Sequence, residues 1–137
     1  MENNLLLGRV TRLLSGFYTV QTAQGDLVCR LRGRLKKGAG GSDLVALGDC
    51  VVVLPLADGS GIIEKVEPRS RALVRKAPQA RGEYRQVLLA NPDQAVFVFA
   101  CARPQPHLRM LDRFLVVAEQ QGIPAVIVAN KIDLVNL

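Results

Sequence analysis

The sequence predicts a mixed architecture: a five-stranded β-barrel of the OB type, then a βαβ piece of an open α/β domain. Three observations predict it. Short apolar runs separated by turn residues recur between positions 5 and 66, as in a small all-β unit. From Asp93 the period changes, and two continuous apolar runs flank a stretch with helical spacing. Between the two regions, residues 69–92 carry six Lys/Arg and one acid, with Pro78 and Gly82 among them, a composition that marks a connector. The expected organisation is a barrel at 1–68, a basic linker at 69–92 and the α/β piece at 93–137.

The first strand is Leu5–Leu14, ended by a Ser15-Gly16 turn. Phe17–Thr22 alternates and leads into a Gln24-Gly25-Asp26 turn. The third run, Leu27 to Lys36, places Cys29, Leu31, Gly33 and Leu35 on one face and Arg30, Arg32, Arg34 and Lys36 on the other, the period of two expected of a strand. Gly38–Ser42 reads as a flexible loop, and Leu44–Gly48 leads into a fourth strand over Asp49–Leu56. An Asp58–Gly61 turn returns the chain into Ile62–Val66. A small open sheet of five strands would leave adhesive edges, so closure is expected. An SH3-like barrel is the structural rival.

Size and composition narrow the class. The 137 residues suffice for one domain or two small units, and 49% apolar residues suit a packed core. No apolar run approaches the length of a membrane span, and Met-Glu-Asn-Asn lacks the basic start of a signal peptide. A cytoplasmic protein with no membrane partner is expected. Cys29, Cys50 and Cys101 lie far apart, and His107 is the single histidine; no local zinc motif exists, and reduced, buried thiols are expected.

The net charge of +6 is uneven. Residues 1–68 carry eight basic and seven acidic side chains, 69–92 six and one, and 93–137 four and four. Within the first segment, Arg30, Arg32, Arg34, Lys36 and Lys37 form a run free of acids. Cations on one side of a barrel strand would track a phosphate backbone, and like charges repel unless a partner neutralises them. RNA binding through this face is the expectation, by backbone contact, because Phe17 and Tyr18 are the barrel's only aromatic candidates. The linker is either an arm that orders on RNA or a solvated connector.

In the last region, Ala95–Cys101 (AVFVFAC) and Ala125–Ala129 read as buried strands. Between them, Leu108, Leu111, Leu115 and Ala118 recur at helical spacing with Phe114 beside them. Pro106 suits the first turn, and Gly122 with Pro124 the stop. Asp112 and Arg113 belong to the solvated helix face, and His107 to the surface at the helix start. Parallel strands joined by a helix follow.

The second strand runs out into Asn130-Lys131-Ile132-Asp133. Ligands of open parallel sheets bind beyond the carboxyl ends of the strands. An Asn-Lys-x-Asp there suits guanine. The carboxylate of Asp133 can accept from the ring N–H and the exocyclic amine, and adenine offers neither donor there, so it would leave the acid unpaired. Asn130 can bond the base edge and tie neighbouring loops, while the Lys131 stem lies over the ring and leaves its ammonium solvated. A plain strand-end turn is the bland alternative; the preceding strand favours the guanine reader.

A phosphate cradle of the form G-x-x-x-x-G-K-[ST] is missing. Gly33 to Gly38 has the glycine spacing but continues into Ala39-Gly40, inside the strand series. A basic barrel, a cationic linker, Asn91-Pro-Asp-Gln-Ala-Val-Phe-Val-Phe99, Leu111-Asp-Arg-Phe-Leu115 and Asn130-Lys-Ile-Asp133 follow in this order. Together with Gly16-Phe17-Tyr18 and Leu47-Gly48-Asp49, they resemble the ribosome small-subunit-dependent GTPase A family, circularly permuted bacterial GTPases. The resemblance covers essentially the whole chain.

It implies an OB domain, a permuted P-loop-type GTPase domain and a zinc-binding domain, acting late in maturation of the 30S ribosomal subunit and its 16S rRNA. It also implies GTP and Mg²⁺ as ligands, a structural Zn²⁺, and Asn130, Lys131 and Asp133 as guanine contacts. A monomer is expected. The chain would be an N-terminal fragment, inactive alone in GTP hydrolysis, because phosphate, switch and zinc positions are absent and no catalytic residue can be carried over. The alternative is a free-standing RNA-binding barrel with an incidental Asn-Lys-x-Asp.

Overall fold

Alternating apolar residues in five short runs can all be buried only if the runs curl round a shared interior, and they do. The computed structural model describes residues 4–37, 45–79 and 82–135, and their side chains except at 36–37, 75–79 and 82–85. Met1–Asn91 forms one compact unit and Pro92–Leu137 a second.

In the first unit, β1 (Leu6–Leu14), β2 (Phe17–Thr22), β3 (Gly25–Leu31), β4 (Cys50–Pro55) and β5 (Ser60–Val66) close in the order β1-β2-β3-β5-β4. β1 pairs antiparallel with β4 to complete the ring, and β3 runs parallel to β5. This is the five-stranded barrel of OB type. Val10, Tyr18, Val20, Cys29, Val51, Val53 and Ile63 point inward, with Val45 closing the core. Each such aliphatic side chain contributes about 1.5–3 kcal/mol on burial.

The third strand is shorter than its sequence pattern. β3 stops at Leu31, and Gly33–Lys37 forms a single helical turn, α1. Leu31 and Leu35 both pack against the core, and a spacing of four satisfies a strand face and a helix face alike. Periodicity could not separate the two. The Gly38–Ser42 loop and Leu44, with the glycine series 38–40, lie outside the described residues, as do the side chains of Lys36 and Lys37.

Burial of the three cysteines also departs from expectation. Cys29 is buried, while Cys50 and Cys101 are partly exposed. Burial pushes the Cys29 thiol up from 9.0 to about 11, so it behaves as a small apolar side chain.

The segment at 69–92 is an ordered hairpin rather than an irregular connector. β6 (Ala72–Gln79) and β7 (Gly82–Ala90) pair antiparallel, and their base is tied to the barrel. The Ala90 N–H donates to Leu47 O at 2.7 Å. Asn91, at φ 52°, donates from its backbone to Arg71 O and from Nδ2 to Gly48 O, while its Oδ1 accepts from Ser70 N and Oγ. Gly48 sits at φ +86°, and a Cβ there would lie 2.1 Å from Ala90 O, so close approach and handedness both require glycine.

Beside it, the fully buried Asp49 carboxylate accepts Nε and Nη2 of Arg69 at 2.8 and 2.7 Å and the Ala46 N–H at 2.8 Å. The Leu47-Gly48-Asp49 motif is therefore the socket in which the hairpin is seated.

In the second unit, β8 (Ala95–Ala100) and β9 (Ala125–Asn130) lie parallel, in register from Ala95↔Ala125 to Ala100↔Asn130. They are joined by α2 (Leu108–Gln120). His107 caps α2, its Nδ1 accepting the Met110 N–H at 3.2 Å, so the helix starts after Pro106. Gly122 at φ +63° ends it, with Ile123 N–H donating to Ala118 O, a left-handed stop. Phe114 stacks on Phe97 with centroids 5.4 Å apart, and Ala118 is buried. Leu108, expected on the packed face, is exposed.

Candidate functional site

β-branched residues carry β9 to its end, and the chain there must leave the sheet without losing its polar groups. Asn130 stays fixed, because its carbonyl accepts the Cys101 N–H at 2.8 Å across the end of β8. Its side-chain Oδ1 accepts the Lys131 N–H at 2.9 Å. That bond suits a sharp turn, and Lys131 takes the left-handed conformation at φ 58°, ψ 38°. Ile132–Leu134 then forms one 3₁₀ turn with Asp133 on it. Asn130, Lys131 and Asp133 are thus gathered at the carboxyl end of a parallel strand and are all exposed.

The Lys131 ammonium differs from expectation. It is not simply solvated: Nζ donates to the backbone carbonyl of Arg103, in the loop that follows β8. Arg103 is itself left-handed at φ 50°. The contact ties the end of the lysine side chain to the loop that follows β8. No local pattern in the sequence signals a partner 28 positions upstream.

The basic residues of the barrel do not form one strand face. Only Arg30 lies on β3; Arg32 follows it, and Arg34, Lys36 and Lys37 fall on α1. Arg32 and Arg34 both pair with Glu64 on β5, through Arg32 Nη1 at a short distance and Arg34 Nη2 at 3.4 Å. Glu64 is nearly buried and the arginines are half or more exposed. The charge run that lacked an acid in sequence acquires one in space. Its signal was a single acid inside the apolar run of β5.

Arg30 instead lies over Phe17, its Cζ 4.7 Å from the ring centroid. The register that pairs Tyr18 with Cys29 brings Phe17 level with Arg30 on the outer surface. Tyr18, the other aromatic candidate, belongs to the core.

Among the described residues, no three or more His, Cys, Asp or Glu side chains gather to hold a metal ion. No described residue is therefore assigned to Mg²⁺ or Zn²⁺. No helix among them is long and apolar enough to cross a membrane.

Comparison with known proteins places these features. The RsgA GTPase family model matches residues 66–137, and the RsgA N-terminal domain model matches 7–63. The small ribosomal subunit biogenesis GTPase RsgA of Gemmatimonas aurantiaca is 44% identical over 133 residues, covering 94% of this chain and 43% of that protein. Its namesake in Chlorobaculum tepidum is 41% identical over 137 residues, 94% and 44%.

Among solved structures, YjeQ from Thermotoga maritima superposes with a TM-score of 0.71 at 30% identity, over 96% of this chain and 43% of that one. YloQ, described as a circularly permuted GTPase, gives 0.68 at 29%, over 99% and 44%. The chain spans less than half the length of these relatives. The RsgA GTPase model alone matches more than half of the chain, and the chain belongs to the RsgA GTPase family.

Proposed function

We propose that this chain supplies the RNA-binding and guanine-reading parts of a cytoplasmic, monomeric GTPase of small ribosomal subunit biogenesis. The observation that carries the reading is the exit of Asn130-Lys131-Ile132-Asp133 from the carboxyl end of β9. Asp133 accepts from the guanine ring N–H and amine, Lys131 lies along the base with its ammonium on Arg103, and Asn130 holds the turn. Hydrolysis would need phosphate contacts from elsewhere, since base contacts alone omit most of the binding groups. The relatives named for small-subunit biogenesis support the ribosomal setting. The barrel's Arg30, Arg32, Arg34, Lys36 and Lys37 are assigned to 16S rRNA within the 30S subunit. Arg32 and Arg34 would exchange Glu64 for phosphate.

The test is a change of base preference. In a polypeptide carrying this segment with a phosphate cradle, Asp133→Asn replaces two acceptor contacts by one acceptor and one donor group. Guanine nucleotide affinity should fall about a hundredfold, the range of one to two buried polar contacts. Xanthine nucleotide, with a carbonyl where guanine has its amine, should gain. Unchanged guanine affinity by calorimetry would sink the guanine reading and leave an RNA-binding barrel with an incidental Asn-Lys-x-Asp.

A further inference from the structure

The outer surface of the barrel carries a second arrangement that charge alone does not explain. In the registers of β1, β2, β3 and β5, outward residues follow one another across four strands. Leu14 faces Phe17, Arg12 faces Thr19, Thr19 faces Val28, and Arg30 faces Ile62. Two adjoining concavities lie on this surface. The larger, about 520 Å³, is lined by Phe17, Val28, Arg30, Leu56, Asp58 and Ile62 among others, within the range of about 300–1,000 Å³ typical of ligand sites. The smaller, about 280 Å³, continues past Phe17 and Val28 to Arg12 and Leu14.

Phe17, Val28, Leu14 and Leu56 are all more than a third exposed. An apolar floor open to water and flanked by cations asks for a ligand that is both flat and anionic. Among the described residues, neither Arg12 nor Arg30 makes a close ion pair with a carboxylate; at Asp58 the Ser60 hydrogen bonds, with a smaller contribution from the Arg30 charge, hold the carboxyl below its usual range. Arg30 lies over Phe17 and lines the larger concavity but not the smaller. The acid there, Asp58, is held in its own turn by Ser60 N and Oγ at 2.9 and 2.6 Å. Its charge disfavours a phosphate on that wall and leaves a base edge as the group that fits.

We infer that the concavity takes one unpaired RNA base, stacked on the Arg30 guanidinium that Phe17 supports from behind, while the adjoining phosphates follow Arg12 and Arg32. This rests on the proposed RNA-binding role of the barrel and makes it specific for single strands. A duplex keeps its bases stacked inside and could offer this surface only phosphates. A stack of Phe17, Arg30 and base uses the planar guanidinium, which a lysine cannot supply.

The experiment uses the full 137-residue chain, fluorescence anisotropy, and two RNA probes of equal length: a single strand carrying one 2-aminopurine, and a duplex. The single strand should bind about tenfold tighter, with 2-aminopurine emission quenched on binding. Arg30→Lys and Phe17→Leu should each weaken single-strand binding by about five- to a hundredfold and relieve the quench. Arg30→Lys keeps the charge, so the slope of log affinity against log salt should not change. Both residues are exposed, and unchanged thermal unfolding confirms that the fold survives.

Variants that bind like the parent, or a parent that binds duplex and single strand equally, would overturn the inference while leaving RNA binding intact. Displacement of the probe by an acidic peptide as readily as by unlabelled RNA would reassign the groove to a protein partner and overturn it too. Absence of any RNA binding at low salt would remove the parent reading itself.

Discussion

The barrel and the strand–helix–strand unit are built from apolar runs of similar length, yet they bury them to very different degrees. The barrel strands enclose Val20, Cys29, Val51, Val53 and Ile63 with no residual exposure. In the second unit, only Pro92, Ala118 and Ile123 are buried among the described residues, and every residue of β9 is exposed. Val96, Val98, Val126 and Val128 share the face of the strand pair away from Phe97 and remain open. Closure explains the contrast. Five strands that return on themselves bury one whole face and leave no edge, whereas two parallel strands under one helix keep two edges and a bare face. The topology that gathers the apolar runs thus sets how far they are buried, and Asn130, Lys131 and Asp133 stand in the less enclosed of the two described regions.

Three experiments press on this contrast, the largest effect first. Asp49→Ala should cost the barrel about 3–5 kcal/mol, because it removes a fully buried carboxylate that accepts from both the Arg69 guanidinium and the Ala46 N–H. Denaturant unfolding should show the loss, with hydrogen exchange at β7 rising because Asp49 sits in the hairpin's socket. A loss below about 1 kcal/mol would make the ion pair an ornament of the fold.

The second experiment is alkaline titration. A thiol whose pKa is raised on folding contributes stability that is complete below its unfolded value of 9.0 and is lost as pH climbs through about 11. In full this is about 2–3 kcal/mol. Burial raises Tyr18 in the same direction, so Cys29→Ala should flatten the decline without abolishing it. An identical pH profile in the variant would show that the core thiol plays no part.

The smallest effect is expected at Phe97→Ala, about 2 kcal/mol, from lost burial and the Phe97–Phe114 stack. Amides of α2 should lose protection, and those of the barrel core should not. Equal loss in both regions would end the distinction drawn between them.

The sequence made the strand runs, the helix with its left-handed stop at Gly122 and the strand-end tetrapeptide legible, since each depends on neighbours within a few positions. What it concealed is non-local. The run from Leu27 to Lys36 satisfied a strand period throughout, and the choice of a helical turn after Leu31 depended on a core formed by other strands. Arg32 and Arg34 appeared unpartnered because Glu64 is 30 or more positions away. The hairpin at 72–90 was masked by its cations and Pro78, and by a socket built from Gly48 and Asp49 far upstream. Lys131 and Arg103 meet only because β8 and β9 are parallel, which places both of their exits at one end.

Asn91 closes the first unit, and its hydrogen bonds have a mechanical meaning. Its backbone N–H, its amide nitrogen and its side-chain oxygen reach Arg71, Gly48 and Ser70, in two separate stretches of chain. One residue thereby fastens the end of β7 both to the turn before β4 and to the stretch before β6, so the hairpin is held at its base by side-chain as well as ladder hydrogen bonds.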